Sequence, residues 1–169
     1  MTAGRGHAGK LVELDPLRAA LGPLRARGGI LVFTNGCYDI LHVGHLRLLE
    51  SARALGDALV VGVNRDESVG RLKGMRRPFV PFEERASIVA GLEAVDWVIG
   101  FDEDTPEVLV RALRPDVLVK GGDWPLASVA GRETIEALGG RVVRVPLVPG
   151  RSTTALAERI ARRPREPES

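Results

Sequence analysis

The sequence predicts an α/β fold, with a doubly wound parallel sheet in a single domain. Short apolar runs rich in β-branched residues alternate with segments whose apolar residues recur at helical spacing. This alternation is typical of parallel strands joined by right-handed helical crossovers. The length of 169 residues suits one domain with a sizeable core. Neither a GxxxxGKS/T loop nor a GxGxxG element is present, so the P-loop and dinucleotide-oxidoreductase classes lose their main support.

The predicted elements follow one another along the chain. Asp15 and Pro16 fit the N-cap and first position of a helix that extends to about Arg27. Strand-like runs follow at residues 30–34, 58–63, 94–99, 117–119 and 142–145. Helical patterns lie near residues 46–55, 81–91, 105–114, 128–138 and 153–162. Ligands of such a sheet bind beyond the carboxyl ends of the strands, so we expect the site in the segments that directly follow strands.

Composition limits the classes of function. The 24 basic and 22 acidic residues are interspersed and leave a net charge of +2, which is too small to indicate a nucleic-acid surface. The single cysteine excludes an internal disulfide and fits a reducing cytoplasm. No segment resembles a signal peptide or is long enough to span a bilayer, so we expect a cytoplasmic protein without a membrane partner.

We expect three regions along the chain. These are an N-terminal extension and helix at residues 1–28, one globular domain at 29–161, and a disordered tail at 162–169. The tail is rich in proline, arginine and glutamate and contains the only charge cluster.

The segment after the first strand is the most informative. An apolar run that indicates a fully buried strand is followed by Asn35-Gly36-Cys37-Tyr38-Asp39-Ile40-Leu41-His42-Val43-Gly44-His45. His42 and His45 are three residues apart where the next helix begins, so both imidazoles face one side of its first turn. Free N–H groups and the positive end of the helix dipole favour an anion there, and Gly44 leaves room for a ligand. The segment predicts a phosphate-binding site.

Simpler explanations remain open for the other residues of this segment. Asn35 and Asp39 could cap turns, as such side chains often do. Cys37 and Tyr38 could be packing residues as readily as site residues. Two histidines that bracket a glycine between a strand and a helix are harder to explain by structure alone.

Lysine usage singles out two further positions. Only Lys10, Lys73 and Lys120 carry an ammonium group, and arginine supplies every other basic side chain. A compact ammonium binds phosphate oxygens as a point charge where the planar fork of arginine would not fit. Lys73 and Lys120 follow predicted strands, where the site is expected.

Residues 34–45 resemble the signature of the nucleotidyltransferase superfamily that carries the HxGH motif. This superfamily includes glycerol-phosphate and ethanolamine-phosphate cytidylyltransferases and pantetheine-phosphate adenylyltransferases. The resemblance covers about residues 29–161 and implies a Rossmann-like fold. Within the superfamily the sequence is most similar to the adenylyltransferases that make ADP-heptose from D-glycero-D-manno-heptose 1-phosphate. Those are often fused behind a sugar kinase, and these 169 residues contain no kinase segment.

The resemblance gives roles to the segment after the second strand, which a solvated basic loop would also explain. In the superfamily a lysine of this loop, here Lys73, binds the phosphates of the nucleotide and of the incoming substrate. Asn64 begins the segment, and Arg76 and Arg77 could hold the sugar phosphate. Arg85 matches a family arginine near the site, although an arginine on the surface of a helix would fit equally well.

The segment Lys120-Gly121-Gly122-Asp123-Trp124 separates the subfamilies. Glycerol-phosphate cytidylyltransferases tend to carry aspartate in place of Gly122 and an uncharged residue in place of Lys120. Lys-Gly-Gly-Asp followed by an aromatic residue is the heptose-type pattern. Asp123 could accept hydrogen bonds from a sugar hydroxyl or cap the next helix.

The last helix opens with Gly150-Arg151-Ser152-Thr153-Thr154. Ser152 alone would be an ordinary N-cap. It also matches the Ser-Thr-Thr helix start of the superfamily, where hydroxyl and N–H groups hold the β- and γ-phosphates. Arg151 departs from the usual apolar or cysteine residue, and it could contact a phosphate or point into solvent.

Together these segments predict a complete site. The predicted catalytic residues are His42, His45 and Lys73. We expect the nucleotide at Thr34, Asn35, Gly36, Cys37, Gly44, Lys120, Gly121, Asp123, Ser152, Thr153 and Thr154. We expect the phosphate-bearing substrate at Asp39, Asn64, Arg76, Arg77 and Arg85.

The resemblance implies ATP and a sugar 1-phosphate as substrates. Mg²⁺ is expected mainly on the ATP phosphates, because the sequence shows no carboxylate cluster dedicated to a metal. A cytidylyltransferase that uses CTP and a small polyol or amino-alcohol phosphate, such as glycerol 3-phosphate, is an alternative. A non-catalytic nucleotide-binding module is another, although the intact histidines and Lys73 disfavour it. Relatives are commonly homodimers, which is an analogy only, and no nucleic-acid partner is expected.

Overall fold

The computed structural model describes residues 6–122, 125 and 129–162. A central sheet is formed by β1 (Leu31–Gly36), β2 (Ala58–Asn64), β3 (Trp97–Phe101), β4 (Val117–Gly121) and β5 (Arg141–Val145). The helices are α1 (Leu14–Ala20), α2 (Gly22–Ala26), α3 (Val43–Arg53), α4 (Asp66–Lys73), α5 (Phe82–Gly91), α6 (Glu107–Leu113), α7 (Arg132–Ala137) and α8 (Thr153–Ala161). None of these helices has the length and apolar character needed to cross a membrane.

All the strand pairs are parallel, and the strand order is β3-β2-β1-β4-β5. The chain builds outward from β1 to β3 and then returns to place β4 on the other side of β1. The order therefore reverses between β1 and β4, where Val32 pairs with Val117 and Thr34 with Val119. This arrangement confirms the predicted doubly wound sheet, and its switch point is where such sheets bind ligands.

Two apolar layers hold the sheet, one on each face. Leu31 and Phe33 point toward α1, α2, α6 and α7, whereas Val32 points toward α3 and α5. All three side chains are fully buried, and burying one such side chain contributes about 1.5–3 kcal/mol. β1 is thus buried on both faces through Thr34, two residues before the strand ends and the histidine-containing loop begins.

The N-terminal segment differs from the expectation. α1 begins at Leu14 with Glu13 as its N-cap, so Pro16 lies within the first turn and not at its first position. The predicted single helix is divided at Leu21, because Pro23 has no N–H to continue the hydrogen-bond ladder. Residues 10–12 hydrogen bond to Val98 at the sheet edge, and α1 and α2 pack into the shared core.

Two other boundaries were predicted wrongly. Residues 66–73 were predicted to lie in a loop but form α4. Asp66 lies in the first turn of this helix and Lys73 in its last turn, as the helix dipole favours. The third strand begins at Trp97 and not at residue 94. The carboxylate of Asp96 there accepts a hydrogen bond from Leu59 N, at 2.8 Å.

Candidate active site

The two predicted histidines form the start of α3. His42 is the N-cap, and its Nδ1 accepts a hydrogen bond from Gly44 N at 3.1 Å. His42 N in turn donates to Nδ1 of His45 at 3.4 Å. The two rings are stacked, with centroids 3.9 Å apart. Because both Nδ1 atoms are acceptors, a neutral ring must carry its proton on Nε2, so each histidine offers one N–H to a ligand.

Both histidines are neutral at physiological pH. Burial, reinforced by the neighbouring His42, lowers the pKa of His45 to about 4. Burial and the charge of Arg151 lower the pKa of His42. The pair therefore acts through hydrogen bonds from neutral rings, and it does not add two positive charges to the site.

Gly44 is required by close packing at this helix start. A Cβ atom at this position would lie 2.9 Å from Cε1 of His42 and 3.6 Å from Cβ of Arg151. Contacts near 3 Å with a ring that is itself hydrogen bonded cannot relax without moving the ring. Glycine at this position therefore preserves the orientation of His42, in addition to leaving room for a ligand.

The loop between β1 and α3 is held by Asp39. Tyr38 and Ile40 on either side have φ angles of 50° and 54°, a conformation that costs non-glycine residues free energy. Asp39 is 1% exposed. Its Oδ1 accepts from the backbone N–H groups of residues 79 and 80 at 2.9 and 3.0 Å, and its Oδ2 from Nε of Arg77 at 2.6 Å. Asp39 therefore positions the loop, with its carboxylate held by three hydrogen bonds.

A cleft of about 470 Å³ lies at the carboxyl ends of β1 and β2. It brings together most of the predicted site. The predicted residues that line it are Asn35, Gly36, Cys37, Asp39, His42, Gly44, His45, Asn64, Lys73, Arg77, Ser152, Thr153 and Thr154. The site predicted from the sequence left out six other lining residues, which are Tyr38, Leu48, Leu72, Asp104, Leu147 and Arg151.

Three predicted nucleotide contacts lie behind the cleft wall. The buried Thr34 hydroxyl donates to Val119 O at 2.9 Å and so joins β1 to β4. The ammonium of Lys120 donates to Oδ1 of Asn35, and burial lowers its pKa to about 8. A Cβ atom on Gly121 would lie 2.9 Å from Leu147. These residues shape the wall and orient Asn35, whereas Asp123 lies outside the described residues.

Arg85 is buried and does not lie on the surface of its helix. It is 1% exposed. Its guanidinium donates to Val80 O at 2.8 Å, to the carbonyl oxygen of Cys37, and to Oδ1 of Asp66 at 2.6 Å. Arg76 is exposed and does not line the cleft.

The mouth of the cleft carries positive charge. Lys73, the last residue of α4, is exposed, and Arg77 and Arg151 line the same cleft. The two acidic side chains of the lining are already paired, Asp39 with Arg77 at 2.6 Å and Asp104 with Arg71 at 2.9 Å. The lining therefore suits a polyanion.

The remaining polar residues have structural partners. Asn64 Nδ2 donates to the hydroxyl of Ser68 at 2.9 Å. Burial raises the pKa of the Cys37 thiol against the opposing charges of Lys73 and Arg85, so Cys37 is not a thiolate nucleophile. Ser152 caps α8 by accepting from Ala155 N at 3.1 Å, and Thr153 donates its hydroxyl proton to Asp39 O at 2.6 Å. This last bond ties α8 to the histidine loop.

Residues 33–157 match the family model described as cytidylyltransferase-like. The chain belongs to the cytidylyltransferase-like family. It is 53% identical over 157 residues to the bifunctional protein HldE of Geobacter sulfurreducens, and 51% identical over 159 residues to that of Pseudomonas aeruginosa. These alignments cover 93% and 94% of this chain but 32% and 34% of the relatives, so the chain spans about a third of their length.

Solved structures agree with this family. The lipopolysaccharide core biosynthesis protein of Thermoplasma volcanium superposes with a TM-score of 0.60 at 30% identity, over 72% of this chain and 98% of that one. Pantothenate synthetase of Thermus thermophilus superposes with a TM-score of 0.57 at 20% identity, over 82% and 62%. The second likeness supports the Rossmann-like fold alone.

Proposed function

We propose that this chain transfers AMP from ATP to D-glycero-D-manno-heptose 1-phosphate and so gives ADP-heptose and pyrophosphate. The observation that supports the proposal most strongly is the stacked pair of neutral histidines at the start of α3, facing a cationic cleft at the carboxyl ends of β1 and β2. The heptose-type segment that begins at Lys120 and the similarity to HldE proteins and a lipopolysaccharide core biosynthesis protein support the choice of sugar.

The reaction follows from positioning and charge stabilisation. An oxygen of the sugar phosphate attacks the α-phosphorus of ATP in line, the bond from that phosphorus to the bridging oxygen breaks, and pyrophosphate leaves with the electron pair. The Nε2–H groups of His42 and His45 donate to the α-phosphate and the bridging oxygen as charge develops there. Lys73 holds the α-phosphate and the incoming phosphate together, and the free N–H groups of α8 hold the outer phosphates.

Mg²⁺ would be carried chiefly by the nucleotide. Within the described part of the chain, His, Cys, Asp and Glu side chains form no group of three or more that could hold a metal. The carboxylate of Asp39 already accepts three hydrogen bonds, and Asp104 is paired with Arg71. Phosphate oxygens are then the main hard ligands in the cleft, and the ion would neutralise part of their charge.

A cytidylyltransferase that acts on glycerol 3-phosphate or a similar small phosphate is the second candidate, favoured by the description of the matching family. The test is an assay of pyrophosphate release with ATP and heptose 1-phosphate, in which mass spectrometry identifies the sugar nucleotide. ADP-heptose is the expected product. Release only with CTP would favour the alternative, and binding of nucleotides without any turnover would favour a non-catalytic module.

We also infer a cytoplasmic homodimer, by analogy with relatives. Light scattering coupled to gel filtration would give twice the 18.2 kDa chain mass for a dimer. A monomer at working concentration would contradict the analogy without affecting the proposed chemistry.

A further inference from the structure

Arg151 lies where the histidine loop meets the start of α8. It precedes the N-cap Ser152, and its Cβ is within 3.6 Å of where a side chain on Gly44 would begin. Its side chain lines the cleft and also a second, adjoining cavity of about 300 Å³. His42 and Ser152 line both cavities as well, whereas Lys73 and Arg77 line only the main cleft.

The guanidinium of Arg151 is available to an anion. Other arginines near the site are held by carboxylates, Arg77 by Asp39 and Arg85 by Asp66. Within residues 6–122, 125 and 129–162, Arg151 has no hydrogen-bond acceptor or carboxylate for its side chain. Its charge instead acts on the neighbouring His42 ring. A guanidinium presents several donors in a plane that matches the oxygens of a phosphate.

We propose that Arg151 binds the two outer phosphates of the nucleotide and is a catalytic residue that stabilises the leaving pyrophosphate. The proposal rests on the proposed function. In-line transfer requires the attacking and leaving oxygens to lie on opposite sides of the α-phosphorus. Lys73 and Arg77 line only the main cleft, whereas Arg151 lines both that cleft and the second cavity, so it can reach phosphates that extend beyond the main cleft.

The departure of pyrophosphate places new negative charge near Arg151. When the bond from the α-phosphorus to the bridging oxygen breaks, that oxygen keeps the electron pair, and no proton has to be transferred. The extra negative charge develops on the pyrophosphate, next to Arg151 and the first N–H groups of α8. A side chain that is already positively charged and already placed there lowers the barrier without any reorganisation.

The test is the binding of pyrophosphate and of AMP to the full chain, measured separately by calorimetry. Arg151→Ala should weaken pyrophosphate binding about tenfold or more, the scale of one charged hydrogen-bonding partner. AMP binding, which lacks the outer phosphates, should change little. Arg151→Lys should recover part of the affinity. The control is Arg47→Ala, which removes an exposed arginine that is paired with Glu50 on α3 and should leave both affinities unchanged.

Three results would overturn the proposal. They are unchanged pyrophosphate binding in Arg151→Ala, an equal loss of AMP binding, and an Arg151→Lys protein no better than the alanine variant. Thermal unfolding shows whether each variant is folded, and Arg151→Gln replaces the alanine variant if that one is not. Because no sugar is present, the outcome is independent of the acceptor. If the enzyme does not use heptose 1-phosphate, the proposed substrate is wrong, but the binding data still decide the role of Arg151.

Discussion

At His42 and His45, the hydrogen bonds that begin α3 also decide which nitrogen carries the proton. Replacing His42 with asparagine keeps an effective N-cap but removes the Nε2–H donor. We expect His42→Asn and His45→Ala each to lower kcat about a hundredfold or more, as when a preorganised donor is lost. The free energy of unfolding of His42→Asn should stay within about 1 kcal/mol of wild type. Near-normal turnover in both variants would contradict the proposed role.

The neutral state of His45 makes stability depend on pH. Its pKa of about 4 in the folded protein lies below the ordinary value of 6.5. Between these values the unfolded chain binds a proton that the folded protein does not, so the free energy of unfolding should fall as pH falls from 6.5 towards 4. Urea unfolding at several pH values measures this. In His45→Gln the free energy of unfolding should fall less steeply over this pH range. An equally steep fall would mean that another group is responsible for the pH dependence.

Lys73 tests whether the site needs an ammonium or only a charge. It is one of three lysines in a chain with 24 basic residues, and it lies exposed at the end of α4. We expect Lys73→Arg to lower kcat/KM about tenfold or more, because the planar guanidinium group cannot replace the compact ammonium group between two phosphates. Steady-state kinetics against Lys73→Ala would show this. Wild-type activity of the arginine variant would mean that charge alone matters.

At the scale of elements, Asp39 joins three segments that are distant in the sequence. Its carboxylate holds residues 77–80, and its backbone oxygen accepts from Thr153 at the start of α8. We expect Asp39→Asn to lower the free energy of unfolding by about 3 kcal/mol, since a buried ion pair loses one partner. The exposed pair of Arg71 and Asp104 is the control. Asp104→Asn should cost less than about 1 kcal/mol, and equal losses in chemical denaturation would contradict the distinction.

The elements also show why parts of the site could not be predicted from sequence. The histidine spacing and strand context were enough to locate the loop, because both are local. The burial of Arg85 depends on acceptors from residues 37, 66 and 80, which only the fold brings together. Thr34 and Asn35 are adjacent, but side chains alternate along a strand, and only Asn35 lines the cleft. Proximity in sequence to a motif therefore overestimated the number of residues that line the cleft.

At the scale of the whole molecule, the fold can be predicted from patterns that repeat along the sequence. Continuous apolar strands such as β2, which is buried along its whole length, predict a sheet covered on both faces. Helices between them then require parallel pairing. The division between α1 and α2 follows from Pro23, which is a local signal. The packing of the N-terminal segment against β3 was not predicted, because it depends on which surface of the sheet the other elements leave uncovered.

The choice of substrates is a property of the whole pocket. Adenine and cytosine each present an exocyclic amino group beside a ring-nitrogen acceptor, so pocket size must discriminate between them. We expect kcat/KM for ATP with heptose 1-phosphate to be at least about tenfold above that for CTP with glycerol 3-phosphate, a difference of ~1.4 kcal/mol in transition-state binding. Steady-state assays with Mg²⁺ and coupled pyrophosphatase compare the two pairs. If the CTP pair is faster, the family assignment stands and the heptose assignment is wrong.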